Sequence, residues 1–569
     1  MKRLAVVLAV CLGLAACATI PTEGAVHAGD SDVVQPEPVG PILTGPEPNA
    51  SPRSIVQGFL IAAAGGAVSG FDVARKFLTS DASLEWDPLE QITVFDSRPV
   101  VPSFNDETGT FTYTVPVAAK VDASGVMTAG ASDVKPDFVF EVELDELGQY
   151  RITSLDDGIV MSAANFARFF RPVTLYFATP DGATVVPDLR WFPDNDQIAT
   201  ATARELVAGP SAWLADAVIT GFPPGSALDV DAVVVGEGAA QVALAPGSAG
   251  NPTQRSLAQE QMRLTLTQLP TVQEVVTTVG GLPIGGDDSV ALSPAELPGE
   301  VAALVVDGRL GLWDGTTASV TAPQVGVVPA GISGIALAYD GHTVTFAVGG
   351  DVAITDVLSE TATMVPADDE VLDLSPEVLP YTVVMEGTSL VPPSFDARGW
   401  LWSTEAASAG VILAAMPGGD AVSLEAPWLA GSSVQAVAAS RDGARLAILS
   451  RSTGEQMLDV VAIARDDDGR PVALGDPLAF GLTVSQAIDL AWVDDTSLVT
   501  LGQGSGEITL AEVGGWTSDV TSSAGATAVT ARNGVRTLLA VAADGVLLVR
   551  SGNDWNSRLA GVTDVAYSG

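Results

Sequence analysis

The sequence predicts a multidomain exported chain: a leader and tether, an N-terminal α+β domain, a central α/β domain, and a C-terminal all-β propeller of about six blades. Three observations carry this. A positive start and a short apolar run end in Leu14-Ala15-Ala16-Cys17. Two successive segments then mix helical with alternating periodicity, and from about Glu300 apolar strands flank polar Asp or Gly turns again and again. At 569 residues the chain exceeds what one hydrophobic core comfortably fills, so several domains are expected.

Lys2 and Arg3 precede an apolar run from Leu4 to Leu14, too short to span a bilayer as a helix and suited to a secretory signal. Small residues directly before Cys17 fit a bacterial lipoprotein cleavage site. Cleavage of residues 1–16 would leave Cys17 at the new N-terminus, carrying S-diacylglycerol and N-acyl groups that hold the chain on the extracytoplasmic face of the cell membrane. Cys11 lies in the leader, so the mature body has no disulfide and must be stabilised by its cores. Hydrophobic residues make up 47% and aromatics only 6%, which points to cores of Val, Ala and Leu in β-rich domains.

Loss of Lys2 and Arg3 takes the net charge from −43 to −45. Such a body repels phosphate backbones, so nucleic acid is excluded as a partner, and adsorption to anionic lipid is disfavoured without the acyl anchor. Residues 17–50 are rich in Pro, Gly, Glu, Asp and Ser and read as a disordered tether.

In residues 51–170, Ser51-Pro52 opens a helix with Ile55, Phe59 and Ala62 on one face, closing at Gly65-Gly66. A second helix is expected over Phe71 to Leu78, followed by strands at Ile92–Phe95, Phe111–Val117 and Phe138–Leu144. Helices before a meander of strands suggest one curved sheet, similar in element order to the NTF2-like cone. In residues 171–290, strands at Val173–Phe177, Leu228–Val235, Gln241–Leu244 and Val272–Val279 alternate with helices at Ala199–Val207 and Gln254–Gln268.

The repeats of residues 300–569 centre on the turns Tyr339-Asp340-Gly341, Asp396-Ala397-Arg398-Gly399, Arg441-Asp442-Gly443, Asp494-Asp495 and Asn533-Gly534. Their spacing of roughly 40 to 57 residues suits propeller blades with inserted loops. Val562–Tyr567 resembles the innermost strand of a copy and Val301–Trp313 the strands that follow one, so a blade built from both ends would close the ring.

No catalytic constellation emerges. His27 falls in the tether and His342 in a blade turn, while G-x-S-x-G, H-E-x-x-H, a phosphate-binding G-x-x-x-x-G-K-[ST] and clustered Cys/His are all missing. Asp156-Asp157, Asp287-Asp288 and Asp466-Asp467-Asp468-Gly469 read as polar connections, the last as a hairpin turn because it lacks the calcium-loop ligand pattern. The expectation is a non-enzyme with no catalytic residue, no cofactor and no metal. A carboxylate-dependent hydrolase is the weaker alternative. Trp191, Trp400, Trp402, Trp428 and Trp492 could stack on a cell-wall glycan or peptide ligand, although core packing is the more ordinary role for tryptophan.

The leader with Cys17, the stretch Pro52-Arg53-Ser54-Ile55-Val56-Gln57-Gly58-Phe59-Leu60, Ala74-Arg75-Lys76-Phe77-Leu78-Thr79 and Trp86-Asp87-Pro88 resemble the LpqB family of actinobacterial lipoproteins. Ala203-Arg204-Glu205-Leu206, Gly209-Pro210, Gly221-Phe222-Pro223 and Val279-Gly280-Gly281 resemble the GerMN (sporulation and germination) module of that family. The resemblance implies an accessory protein that contacts the extracellular domain of a sensor histidine kinase of the MtrA–MtrB type and modulates cell-envelope signalling. It brings no catalytic motif, and only lipid attachment at Cys17 transfers to a single residue.

Overall fold

The computed structural model describes residues 43–96, 103–105, 110–130, 135–284, 291–315, 327–356, 378–480, 486–523 and 525–569. The leader, Cys17, His27, most of the tether and Asp287-Asp288 lie outside them.

The first helix among the described residues is Pro52–Gly66; Ser51 caps it by accepting the Ser54 amide at 3.2 Å, and its buried face carries Ile55, Val56, Phe59, Ala62 and Ala63. The helix expected over Phe71 to Leu78 shrinks to one turn, Asp72–Arg75, because Phe71 sits at φ 65° and starts the turn from a left-handed conformation. The chain then resets at Thr79, which caps a second short helix, Ser80–Glu85. Phe71 and Phe59 meet Trp86 edge-on at 5.9 and 5.2 Å, and these three rings anchor the domain core.

The single curved sheet expected here is instead two four-stranded sheets. One orders Met127–Ala129, Val117–Asp122, Gln91–Phe95 and Ile159–Ser162; the other orders Ser103–Asn105, Thr110–Thr114, Asp137–Leu144 and Tyr150–Ser154. The chain leaves one sheet for the other between Thr114 and Val117, where Pro116 has no amide hydrogen for a ladder.

In the central domain Phe170–Ala178 pairs antiparallel with Val185–Pro193 across the full length of both strands. A mixed sheet orders Val234–Gly236, Ala239–Leu244, Glu274–Val279 and Leu282–Pro283. Its central pair is parallel and is joined by the helix Pro252–Leu266, a β-α-β crossover. That helix opens on a reciprocal capping box between Asn251 and Gln254. Ile198–Ala208 ends at Gly209, whose φ of 115° suits a residue without a Cβ. The strand expected over Leu228–Val235 forms only at its end, with Leu228 held by a single bridge to Leu244.

The C-terminal region is a six-bladed propeller among the described residues. Blade 1 joins Ala302–Val306 and Arg309–Trp313 to the chain's last strand, Val562–Ala566, so the ring is closed by both ends of the domain as its sequence suggests. Blades 2 to 6 begin at Ser333–Leu337, Ser394–Phe395, Ser433–Ala439, Ala487–Trp492 and Ala528–Thr530, each the first strand of its sheet. These first strands and Val562–Ala566 are innermost and pack side by side around the axis. All five Asp, Asn and Gly turns singled out in the sequence are hairpins from an innermost strand to the next, so they crowd one end of the ring.

The three domains share packing. One apolar cluster runs from Phe177, Leu206, Trp213 and Leu214 of the central domain into Ala447, Leu458, Ala462 and Leu490 of blades 4 and 5. Residues 43–569 form one compact unit.

Candidate functional site

The strand Val185–Pro193 is where the domains join. Asp188 and Arg190 are both 1% exposed and pair at 2.8 and 3.1 Å through two parallel contacts. The pair is satisfied in both directions: Asp188 also accepts the Ser211 amide at 2.9 Å, and Arg190 donates to the Ser124 carbonyl of the N-terminal domain at 2.9 Å. The guanidinium stays ionised because the Asp188 charge and contacts, with Glu205 and Asp122 nearby, outweigh its burial.

One residue on, Trp191 donates its indole N–H to the Gly514 carbonyl of blade 5 at 2.9 Å, while its backbone N–H reaches Gly125 of the N-terminal domain at 2.8 Å. Gly125 has φ 86°, and a Cβ there would meet the Trp191 carbonyl at 2.9 Å, so the joint requires glycine. Phe166 stacks on Phe170 at 4.8 Å and touches Trp191 at 5.0 Å and Trp516 of blade 5 at 5.9 Å. Aromatic contact therefore continues through all three domains.

The hairpin end of the ring is also tied down. Arg398 in the blade 3 hairpin donates to Asp181 of the central domain at 2.6 Å, and Arg532 in the blade 6 turn holds the Pro298 and Gly299 carbonyls of the connecting segment at 3.0 and 3.1 Å. Below them, Asp396 binds Arg465 and accepts the Trp402 indole N–H at 3.1 Å, and Asp442 binds Arg445, which lies 4.9 Å over the Trp492 ring. These turn aspartates lock neighbouring strands rather than face a ligand.

The innermost strands enclose a channel of about 390 Å³, lined by Tyr339, Arg441, Asp489, Thr530 and Asp564 among others. Side chains on its wall stitch blade to blade. Ser394 accepts the Ala439 amide at 2.9 Å, Asp489 that of Val529 at 2.9 Å, Thr530 that of Tyr567 at 3.2 Å, and Asp564 that of Ile335 at 3.0 Å. Burial raises Asp489 to about 6, against the hydrogen bonds from Val529 and Leu490. Burial, helped by the Asp489 charge, raises Asp564 to about 7.

Other residues named from the sequence fall in structural places. His342 sits in an exposed turn with its amide donated to Asp340 at 2.9 Å. Asp466 closes a hairpin by accepting the Asp468 and Arg470 amides at 3.1 and 2.9 Å, and Asp157 accepts the Asp87 amide at 2.7 Å. Trp191, Trp402 and Trp492 are buried, and Trp400 and Trp428 pack against the core of blades 3 and 4, so all five tryptophans serve packing. Sequence reading passed over Asp489 and Asp564. Their shared signal is faint: Ile488-Asp489-Leu490 and Thr563-Asp564-Val565 place an acid just after the bulge of an innermost strand.

Three family models match in order along the chain: "Lipoprotein LpqB, N-terminal domain" over residues 45–167, "Sporulation and spore germination" over 174–285, and "Lipoprotein LpqB beta-propeller domain" over 308–566. Lipoprotein LpqB of Thermobifida fusca is 26% identical over 565 residues, covering 86% of this chain and 85% of that protein. That of Streptomyces coelicolor is 28% identical over 537 residues (87% and 85%), and that of Mycolicibacterium smegmatis 30% over 358 residues (58% and 60%). Among solved structures, the Cps50 (Swd1) beta-propeller domain of Myceliophteria thermophila aligns at 12% identity and TM-score 0.30 over 43% of this chain and 77% of its own. The tandem GerMN domains of Bacillus subtilis GerM align at 16% and 0.18 over 25% and 59%.

Proposed function

Because the chain belongs to the LpqB lipoprotein family, we propose that it is a lipid-anchored accessory protein of the cell envelope, and that it acts by contact with the extracellular domain of a sensor histidine kinase of the MtrA–MtrB type. The observation that carries this is the unbroken order of the three family matches on one compact body. Cys17 takes the lipid, the composition of residues 17–50 suits a tether, and the body works on the extracytoplasmic side without turning over a substrate.

Confinement to the membrane that holds the receptor raises the effective concentration, so a contact of modest affinity is occupied much of the time. Signalling changes only if one receptor conformation is bound more tightly than the other; equal affinity shifts nothing. A body whose domains share a core is suited to this, because it cannot relax around both conformations equally well. The shared core also bears on the choice of test: removing the propeller would expose the apolar face of the central domain, so the chain is better kept whole.

The test is Cys17→Ser in the full chain. The expected result is loss of the protein from the membrane fraction together with an altered kinase-dependent response, while the released body keeps its fold. Unchanged membrane attachment, or an unchanged response after release, contradicts the proposal.

A further inference from the structure

We propose that the receptor's extracellular domain docks in the groove between blades 2 and 3, at the hairpin end of the ring, through an extended segment that sets an apolar side chain beside a lysine or arginine. This rests on the receptor contact proposed above and adds to it the docking surface and the chemistry of the segment that fits it.

The first observation is a preformed apolar groove of about 630 Å³, within the usual size of binding clefts. Phe395 is its buried lining at 1% exposed. One wall belongs to blade 2, where Ile354 of the third strand pairs with Thr382 of the outermost one. The opposite wall is Met416, at the turn between the two outer strands of blade 3. Its methyl group reaches over Gly399, where a Cβ would lie 3.7 Å away. Thr382 and Met416 are exposed, so a chain can enter from solvent without threading the ring. Methionine suits such a wall, because its unbranched, polarisable side chain adapts to the shape of what it meets.

The second observation is the sign of the charge at its edge. Asp340 is the one charged residue among those that line the groove. Its Oδ1 accepts the His342 and Thr343 amides at 2.9 and 2.8 Å, and its Oδ2 accepts the Thr343 hydroxyl at 2.5 Å. Burial works to raise Asp340, but the Thr343 hydroxyl and the two amides hold it below the usual carboxylate range. The His342 ring nitrogen, 3.7 Å from Oδ2, adds a positive charge only when protonated. Arg398, in the adjoining blade 3 turn, is already bound to Asp181 at 2.6 Å. With a net charge of −43 on the chain, an acidic segment or an anionic lipid surface is repelled here. A purely apolar segment gains nothing from Asp340. A cation beside an apolar side chain matches both the wall and the edge.

The third observation is continuity with an interface the molecule already uses. The hairpin end of the ring carries the neighbouring domains: Arg398 of blade 3 reaches Asp181, and Gly514 of blade 5 takes the Trp191 indole N–H. The turn that gives Arg398 to the central domain gives Gly399 to the groove, so the groove begins beside that contact. A receptor segment seated there lies next to a domain that shares its core with blades 4 and 5. A site held that firmly favours the receptor conformation that presents the matching segment, which is what a change in signalling requires.

The experiment is photo-crosslinking from the full anchored chain in isolated envelopes, with benzoylphenylalanine placed at Thr382 on the groove or at Val139, 42% exposed on the N-terminal domain. Capture of the sensor kinase is expected from Thr382 and not from Val139, on a peptide in which a lysine or arginine stands beside an apolar residue. Met416→Glu puts a charge on the apolar wall and should cut capture on the order of tenfold. Its turn is exposed, so the variant is expected to melt as the parent does. Asp340→Asn keeps an acceptor for the two turn amides and should lower capture at low salt while leaving it little changed at high salt. Capture undiminished by Met416→Glu, a salt response unchanged in Asp340→Asn, or a captured peptide without a cation overturns the proposal. Kinase captured from Val139 and not from Thr382 overturns the groove and leaves receptor contact standing. No kinase from either position also overturns the groove, and receptor contact then stands or falls on the Cys17→Ser result.

Discussion

Two regions of this molecule bury charge, and they treat it in opposite ways. At the domain joint, Asp188 and Arg190 neutralise each other and every further contact recruits a neighbouring amide or carbonyl. In the propeller channel, Asp489 and Asp564 are held by backbone amides alone. The first arrangement resembles a weld, because removing any part strands a charge. The second resembles an open socket, because its two acids are held in place by amides with no cation acting on either.

Breaking the weld gives the largest expected effect. Asp188→Ala leaves Arg190 buried without its partner and should cost about 3–5 kcal/mol, the range for a broken buried pair. Chemical denaturation checks this, and limited proteolysis should show the central domain separating from the N-terminal domain first.

The socket predicts a response of opposite sign. Asp489 and Asp564 hold protons more tightly in the folded ring than in the unfolded chain, since their folded values are raised to about 6 and about 7. Their contribution to stability is therefore complete below the ordinary carboxylate range near pH 4 and is lost as pH rises through about 6 and 7. At about 1.4 kcal/mol per pKa unit the loss is on the order of a few kcal/mol for each acid. Thermal melts from pH 4 to 8 should show it, and D489N/D564N should flatten the profile.

Smaller changes sharpen the contrast. Trp191→Phe keeps the ring contact with Phe166 but loses the hydrogen bond to Gly514, for about 1 kcal/mol on denaturation. Arg398→Ala removes a partly exposed bridge to Asp181, and a shift of about 0–1 kcal/mol in the same assay is expected.

Much of the fold could be read in the sequence because its signals are local. Ser51-Pro52, Gly209-Pro210 and the blade turns each constrain the backbone within a few residues, and each marks the element it announces. The closing blade was legible because Val562–Tyr567 resembles the innermost strand of the other copies and Val301–Trp313 the strands that follow one. Other features depend on distant residues. The strand Val185–Pro193 carries Asp188 and Arg190 in an otherwise apolar run, and only the contacts with Ser124, Ser211 and Gly514 make that stretch the joint. The division of the N-terminal sheet depends on which strands lie side by side, because the chain passes between the two sheets four times along the described strands. The candidate channel was hidden for the same reason: Asp489 and Asp564 are 75 positions apart and meet only when the ring closes.

The central claim is that an anchored body acts by touching a receptor. Proximity crosslinking from the full-length lipoprotein in its native envelope, with the captured neighbours identified by mass spectrometry, tests it most directly. The account predicts that the extracellular domain of a sensor histidine kinase is captured by the anchored chain and lost with Cys17→Ser. Capture of wall enzymes or other proteins with no sensor kinase among them would contradict it.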